Sequence, residues 1–126
     1  MEFKFTQGEP ISEEEALAEA KKLGLHAFTL DTETSTDTDL HWHEFEVNLW
    51  LVSGEAHLET ADGTRYHAKP GCRLSAPAGW LHRELVSPIH KLVIGTDIPV
   101  SEWTQPIDKP AADPVSYTHL TLPTKA

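Results

Sequence analysis

The chain has little from which a covalent framework or a thiolate metal cage could be made. Among 126 residues there is a single cysteine, Cys72. It can close no intrachain disulfide, and alone it can anchor neither a zinc finger nor an iron–sulfur cluster. A reducing compartment suits it. Basic residues are also few: 10 Lys and Arg stand against 20 Asp and Glu, a net charge of −10. Such a field repels a phosphate backbone, so no nucleic acid is expected as a partner. No run of about 18 apolar residues occurs, and the N-terminal MEFKFTQGEP has no apolar core or small-residue cleavage site. These absences lead us to expect a soluble, cytoplasmic protein with no membrane partner. A chain of this length holds one compact core, so one site is sought.

Residues 12–23 read as the one helix. Ser12 can cap it with Glu15 at the capping-box position, Ala16, Ala20 and Leu23 share a face with Leu17 beside them, and Gly24 can end it. From residue 27 the pattern changes to short β-rich runs at 27–32, 41–53, 55–60, 64–68, 72–76, 81–86 and 89–94. Turn signals divide them at Asp62-Gly63, Pro70-Gly71, Pro77-Ala78-Gly79 and Ser87-Pro88. Short strands at that spacing predict an all-β antiparallel sandwich or small barrel. The polar stretch 32–40 is expected to be a loop. Residues 96–113 are expected to form an irregular arm docked through Trp103 and Ile107. The last segment, 114–126, resembles translated adapter read-through and is set aside, so His119 receives no role.

Histidine is what the chain has in quantity, with 8 copies, and the pair His41 and His43 carries most weight. If 41–53 is one strand, alternate residues share a face. His41, His43, Phe45, Val47, Leu49 and Leu51 then form the apolar, inward face. Trp42, Glu44, Glu46, Asn48, Trp50 and Val52 point outward. Two imidazoles about 6.6 Å apart along a strand can converge on one ion. In a chain this rich in histidine the pair alone is weak evidence. It gains force from GCRLSAPAGWLH (71–82), where Gly71 turns into a strand, Pro77 and Gly79 end it, and His82 opens the next strand facing the same interior.

With these residues the sequence resembles the cupin superfamily, over roughly residues 27–95. The second cupin motif, G-x(5)-P-x-G-x(2)-H, is matched at Gly71, Pro77, Gly79 and His82. The first, G-x(5)-H-x-H-x(3,4)-E-x(6)-G, is matched at His41, His43 and Gly54. Ser35 replaces its first glycine, and Val47 stands where the family's glutamate ligand would be. Glu46 is adjacent to that position but has the wrong strand parity, unless a β-bulge re-aims it as a ligand. The resemblance implies a cupin-type β-barrel over 27–95, preceded by a strand and helix extension over 1–26. It also implies a metal site of His41, His43 and His82, like the three-histidine subset of cupins.

Three neutral imidazoles on one face leave positions open for substrate and dioxygen, so Fe(II) is the expected ion, with Zn, Ni, Mn and Cu as alternatives. Without the carboxylate the site is more positive and should favour a small chelating anion. The implied function is a mononuclear Fe(II)-type dioxygenase. The alternatives are a non-catalytic ligand-binding or sensor cupin, and a metal-dependent isomerase or lyase. Glu84 has the parity of His82 and reads as a supporting group, a general base or a fourth ligand; Leu81 and Leu85 leave open a surface carboxylate paired with Arg83 or Lys91.

The remaining histidines and aromatics read more plainly. His90 either lines the pocket or is a satisfied core residue, and His57 is expected to be exposed. Tyr66, His67 and Cys72 either line the cavity or, as expected first, are structural. His26 lies where it can meet the last helix carbonyls. Trp80 lies at the cavity mouth or packs within its turn. Outward Trp42 and Trp50 suggest a homodimer through that sheet, or cover by Phe3 and Phe5.

Overall fold

A computed structural model describes residues 1–113; the expected read-through tail over 114–126, with His119, lies outside the described residues. The elements are β1 (Lys4–Gln7), α1 (Glu13–Lys22), β2 (His26–Thr34), β3 (His41–Trp42), β4 (Val47–Ser53), β5 (Ala56–Thr60), β6 (Arg65–Ala68), β7 (Cys72–Ala76), β8 (His82–Leu85), β9 (Ser87–Thr96), a short 3-10 turn at Val100–Glu102 and β10 (Lys109–Pro110). They form two five-stranded sheets with orders β1-β7-β4-β9-β2 and β10-β3-β8-β5-β6, and every pairing is antiparallel. The sheets face one another across an apolar interior, where Leu58 packs against the cluster of Phe45, Val47, Leu74 and Ala76. The expected antiparallel fold is present, but the sheets do not close into a barrel. Among the described residues no helix is long and apolar enough to cross a membrane.

Both halves of the α1 capping box form: the Ser12 hydroxyl accepts from the Glu15 N–H, and the Glu15 carboxylate accepts from the Ser12 N–H. Ala16 and Ala20 are fully buried, whereas Leu23, expected on that face, is exposed. The N–H groups of Leu23, Gly24 and Leu25 satisfy the last helix carbonyls. His26 is therefore not needed there, and it opens β2 opposite Thr96 instead.

The expected strand over 41–53 is broken. His41–Trp42 belong to one sheet, Val47–Ser53 to the other, and residues 43–46 cross between them. The crossing is tied down off the ladders: the His43 carbonyl accepts from the Gly79 N–H at 2.9 Å, and the Glu46 N–H donates to the Asp97 carboxylate at 2.9 Å. Where the chain passes from β8 to β9, a single residue, Val86, separates the two strands, at the expected Ser87-Pro88 break. β2 runs to Thr34, two residues past the end of the expected strand.

Parity set Trp42 and Trp50 outward, and the chain itself covers both. Trp50 is 2% exposed beneath Ala16 and Ala20, its indole N–H donates to Glu19, and the Arg73 guanidinium lies 3.9 Å from its ring centre. Trp42 is 3% exposed, and its indole N–H donates to the carbonyls of Pro110 and Asp113. Phe3 and Phe5 do not cover them; both pack on Tyr66, and Phe3 also stacks on Trp80. The tryptophan pair thus gives no ground for a dimer interface on that face. The 96–113 segment docks as expected: Trp103 and Ile107 join the Phe45 cluster, with Trp103 stacked on Phe45 at 4.1 Å.

Candidate metal centre

Antiparallel pairing of β3 with β8 sets His41 directly opposite His82. The turn at Pro77-Ala78-Gly79 folds back on the crossing segment through the Gly79 to His43 hydrogen bond, and this brings the third ring alongside. Ring centres lie 4.5 Å (His41–His82), 5.1 Å (His43–His82) and 5.2 Å (His41–His43) apart, and one nitrogen from each ring lies within 4.8 Å of the others. Gly71, with φ +98°, is needed at the head of β7 because a Cβ there would lie 2.4 Å from the carbonyl oxygens of Gly8 and Glu9.

Each imidazole is pinned in the same way. Nδ1 of His41, His43 and His82 meets the carbonyls of Asp39, Ile107 and Trp80 at 2.8, 3.1 and 3.2 Å. A carbonyl only accepts, so each Nδ1 carries a proton, and in the neutral ring Nε2 keeps its lone pair. Stacking fixes the ring planes: His82 lies on Trp80 at 4.4 Å and His43 on Phe45 at 5.1 Å. Three buried or half-buried imidazoles, each offering one nitrogen within 4.8 Å of the others, fit a divalent ion of the imidazole-preferring series.

The carboxylate that stands beside the imidazoles is that of Glu84. Its Oε2 lies 3.0 Å from His82 Nε2 and its Oε1 lies 3.3 Å from His41 Nε2. Burial works to raise the Glu84 pKa, but hydrogen bonds and charge from His41 and His82 outweigh it and hold the carboxyl well below the usual range. Burial likewise disfavours a charged His41. Glu84 and, more weakly, the Asp39 carbonyl and Asp108 overcome this and raise His41 to about 9. His43 is pushed the other way, by burial first and then by the charge of His82.

Val47 faces the interior, as its place in the motif implies. The structure does not bring Glu46 to the imidazoles: among the described residues it joins no cluster of metal-ligating side chains, and its backbone is held at Asp97. The irregular crossing at 43–46 is the kind of break that could have re-aimed it, yet the break serves His43. Sequence reasoning missed Asp108, 3.9 Å from His41 Nε2 and 3.6 Å from His43 Nδ1. It sits in the arm, where no periodic pattern reports on facing.

Beside this centre runs a cavity of about 720 Å³, lined by His43, His82, Glu84 and mostly apolar side chains of both sheets. His90 is buried and lines it, as does Trp80. Cys72 also borders it, with burial pushing its thiol up to about 11, so it is no nucleophile near neutrality. His57, expected to be exposed, is half-buried, borders the cavity and stacks on His67 at 4.2 Å. With Glu55 these two form a second group of possible donors on the surface, in which His67 pairs with Glu55 at 2.7 Å.

The two facing antiparallel sheets have the fold of a small cupin-type protein. Among solved structures, a DUF861 family protein from Thermotoga maritima superposes with a TM-score of 0.50 at 18% identity, over 75% of this chain and 99% of its own. An RmlC-like cupin from Desulfovibrio desulfuricans aligns over 79% of this chain and 85% of its own, at 17% identity and a TM-score of 0.46. The DMSP lyase DddQ from Ruegeria pomeroyi DSS-3 aligns over 56% of this chain but only 36% of its own, at 21% identity and a TM-score of 0.47. No protein-family model and no curated protein matches the sequence.

Proposed function

We propose that the protein is a mononuclear metal-dependent cupin enzyme, of the Fe(II) dioxygenase type, acting on a small chelating anion. The observation that carries this reading is the set of three imidazoles with one nitrogen from each within 4.8 Å of the others, each ring held at Nδ1 by a backbone carbonyl. His41, His43 and His82 would hold the ion, with Zn, Ni, Mn or Cu as alternatives to Fe(II). When bound, Fe(II) supplies Lewis-acid polarisation and the redox chemistry of O2 activation.

The chain's own residues do the rest. The Nδ1 hydrogen bonds keep the rings oriented, and the apolar cavity walls exclude water from the substrate. Glu84 either completes the donor set or, held ionised, accepts a proton from the substrate. That second role favours a lyase or isomerase as the other reading, since a carboxylate base beside the centre needs no oxidant.

Metal analysis of protein purified without chelator, with His43→Ala and His82→Ala alongside, tests the centre. We expect one ion per chain in the parent and none in the variants; a parent that carries no metal and takes up none refutes the enzyme reading. Oxygen uptake with diketones, thiols and enediols then supports the dioxygenase. Turnover without O2 indicates the lyase or isomerase, and binding without turnover indicates a sensor.

A further inference from the structure

We propose that the ligand of this cavity is amphipathic: an anionic head at the imidazole centre, an apolar body along β4 and β9, and a hydrogen-bond donor at its far end that His90 reads. The head-group assignment rests on the metal-centre reading above; the body and tail rest on the cavity alone.

At about 720 Å³ the cavity is far larger than a bare chelating group needs and falls in the range that encloses a drug-sized molecule. Of its lining residues only Glu33 and Glu84 carry full charge, and neither Lys nor Arg faces it among the described residues. An anionic group can therefore be balanced only at the histidine centre. Beyond that end the β4 and β9 walls are apolar at Val47, Leu49, Leu51, Ile94 and Leu92, and the lining turns polar at His90, with Thr32, Thr34 and Ser87 near it. Ile94 packs against the Phe45 cluster, as does Ile107, whose carbonyl holds His43, so it marks the metal end. His90 lies four residues further, about 13 Å at ~3.3 Å per residue.

His90 has a built seat. It is 6% exposed, and its Nδ1 donates to the Pro88 carbonyl at 2.8 Å. In the neutral ring this leaves Nε2 as an acceptor, and it has no partner among the described residues. Gly54, the last glycine of the first motif, makes room for it: a Cβ there would lie 2.8 Å from the His90 Cβ and 2.5 Å from the Ile89 carbonyl oxygen. An open acceptor on a buried ring, where the apolar channel gives way to Thr32 and Ser87, selects a ligand that brings a hydroxyl or N–H to that end.

Zinc-loaded protein is titrated with hexanoate, octanoate, decanoate and their omega-hydroxy analogues, followed by calorimetry and by the fluorescence of cavity-lining Trp80 and Trp103. We expect affinity to rise with chain length, and the terminal hydroxyl to add about fivefold to tenfold at the length that reaches His90. His90→Phe should erase the hydroxyl preference while keeping the length dependence, and His90→Gln, which retains an acceptor, should restore part of it. Indifference to chain length, or a hydroxyl preference that survives His90→Phe in folded protein, overturns the inference. If the parent takes up no zinc yet keeps both preferences, the metal reading falls while the body and tail assignments stand.

Discussion

Replacing Glu84 by Gln should change how many protons leave when a metal enters. In the metal-free protein Glu84 lies 3.3 Å from His41 Nε2, and His41 rises from 6.5 to about 9 against the opposing pull of burial. At ~1.4 kcal/mol per pKa unit that rise is about 3 kcal/mol. Solvent screening at the Glu84 side chain, which is 39% exposed, brings the pair's contribution to about 1–2 kcal/mol. At pH 7.5 a ring with the ordinary value is about one-tenth protonated, whereas one near 9 is almost fully so. Zinc must displace that proton to reach Nε2. Calorimetry in buffers of different ionisation heat should therefore report close to one proton released per zinc in the parent. In Glu84→Gln burial acts unopposed by the carboxylate, His41 is neutral, and release should fall near zero. Equal release from both proteins would refute the coupling of Glu84 to His41.

The same pair sets a pH window for the metal-free fold. Because His41 is raised, its stabilisation is complete below pH 6.5 and fades as pH climbs through about 9; because Glu84 is depressed, the acid limb is lost only well below the usual carboxylate range. Melting temperature against pH, with Glu84→Gln as the flat control, checks both limbs. Trp50→Ala should destabilise by about 3–5 kcal/mol in urea, since Trp50 is buried against Ala16 and Ala20 of α1; a loss under 1 kcal/mol would mean the helix is not seated on it. Glu44 is buried, accepts from the N–H and hydroxyl of Thr104, and lies 3.6 Å from Lys109 Nζ. Glu44→Ala should free the arm, cost about 2–4 kcal/mol, and weaken zinc binding about tenfold by loosening the Ile107 carbonyl that holds His43. Unchanged zinc affinity in a destabilised variant would show that the arm does not support His43.

The centre was legible in the sequence because its geometry is local. His-x-His and Pro-x-Gly-x-x-His specify side-chain facing within a few residues, whereas strand parity from His82 offered Glu84 but left a surface carboxylate equally open, because Leu81 and Leu85 argue for the opposite facing. Trp42 and Trp50 were correctly set outward by the same parity, but what covers them is decided by a helix and an arm distant in sequence. The break at 43–46 was hidden because alternation continues through it in side-chain character while the backbone changes sheets. Only its hydrogen bonds to Gly79 and Asp97 mark the crossing. Asp108 and β10 had no signal at all, since an irregular segment is positioned by docking and not by period.

The carbonyl of Ile107 and the short β10 strand beside β3 mean that the metal-bearing corner is buttressed by residues translated after every histidine in it. On the ribosome, His41, His43 and His82 emerge before their buttress exists. The nascent chain thus passes through a stage in which the donors are present but one ring is free to turn, and firm capture of an ion waits for the arm to come home.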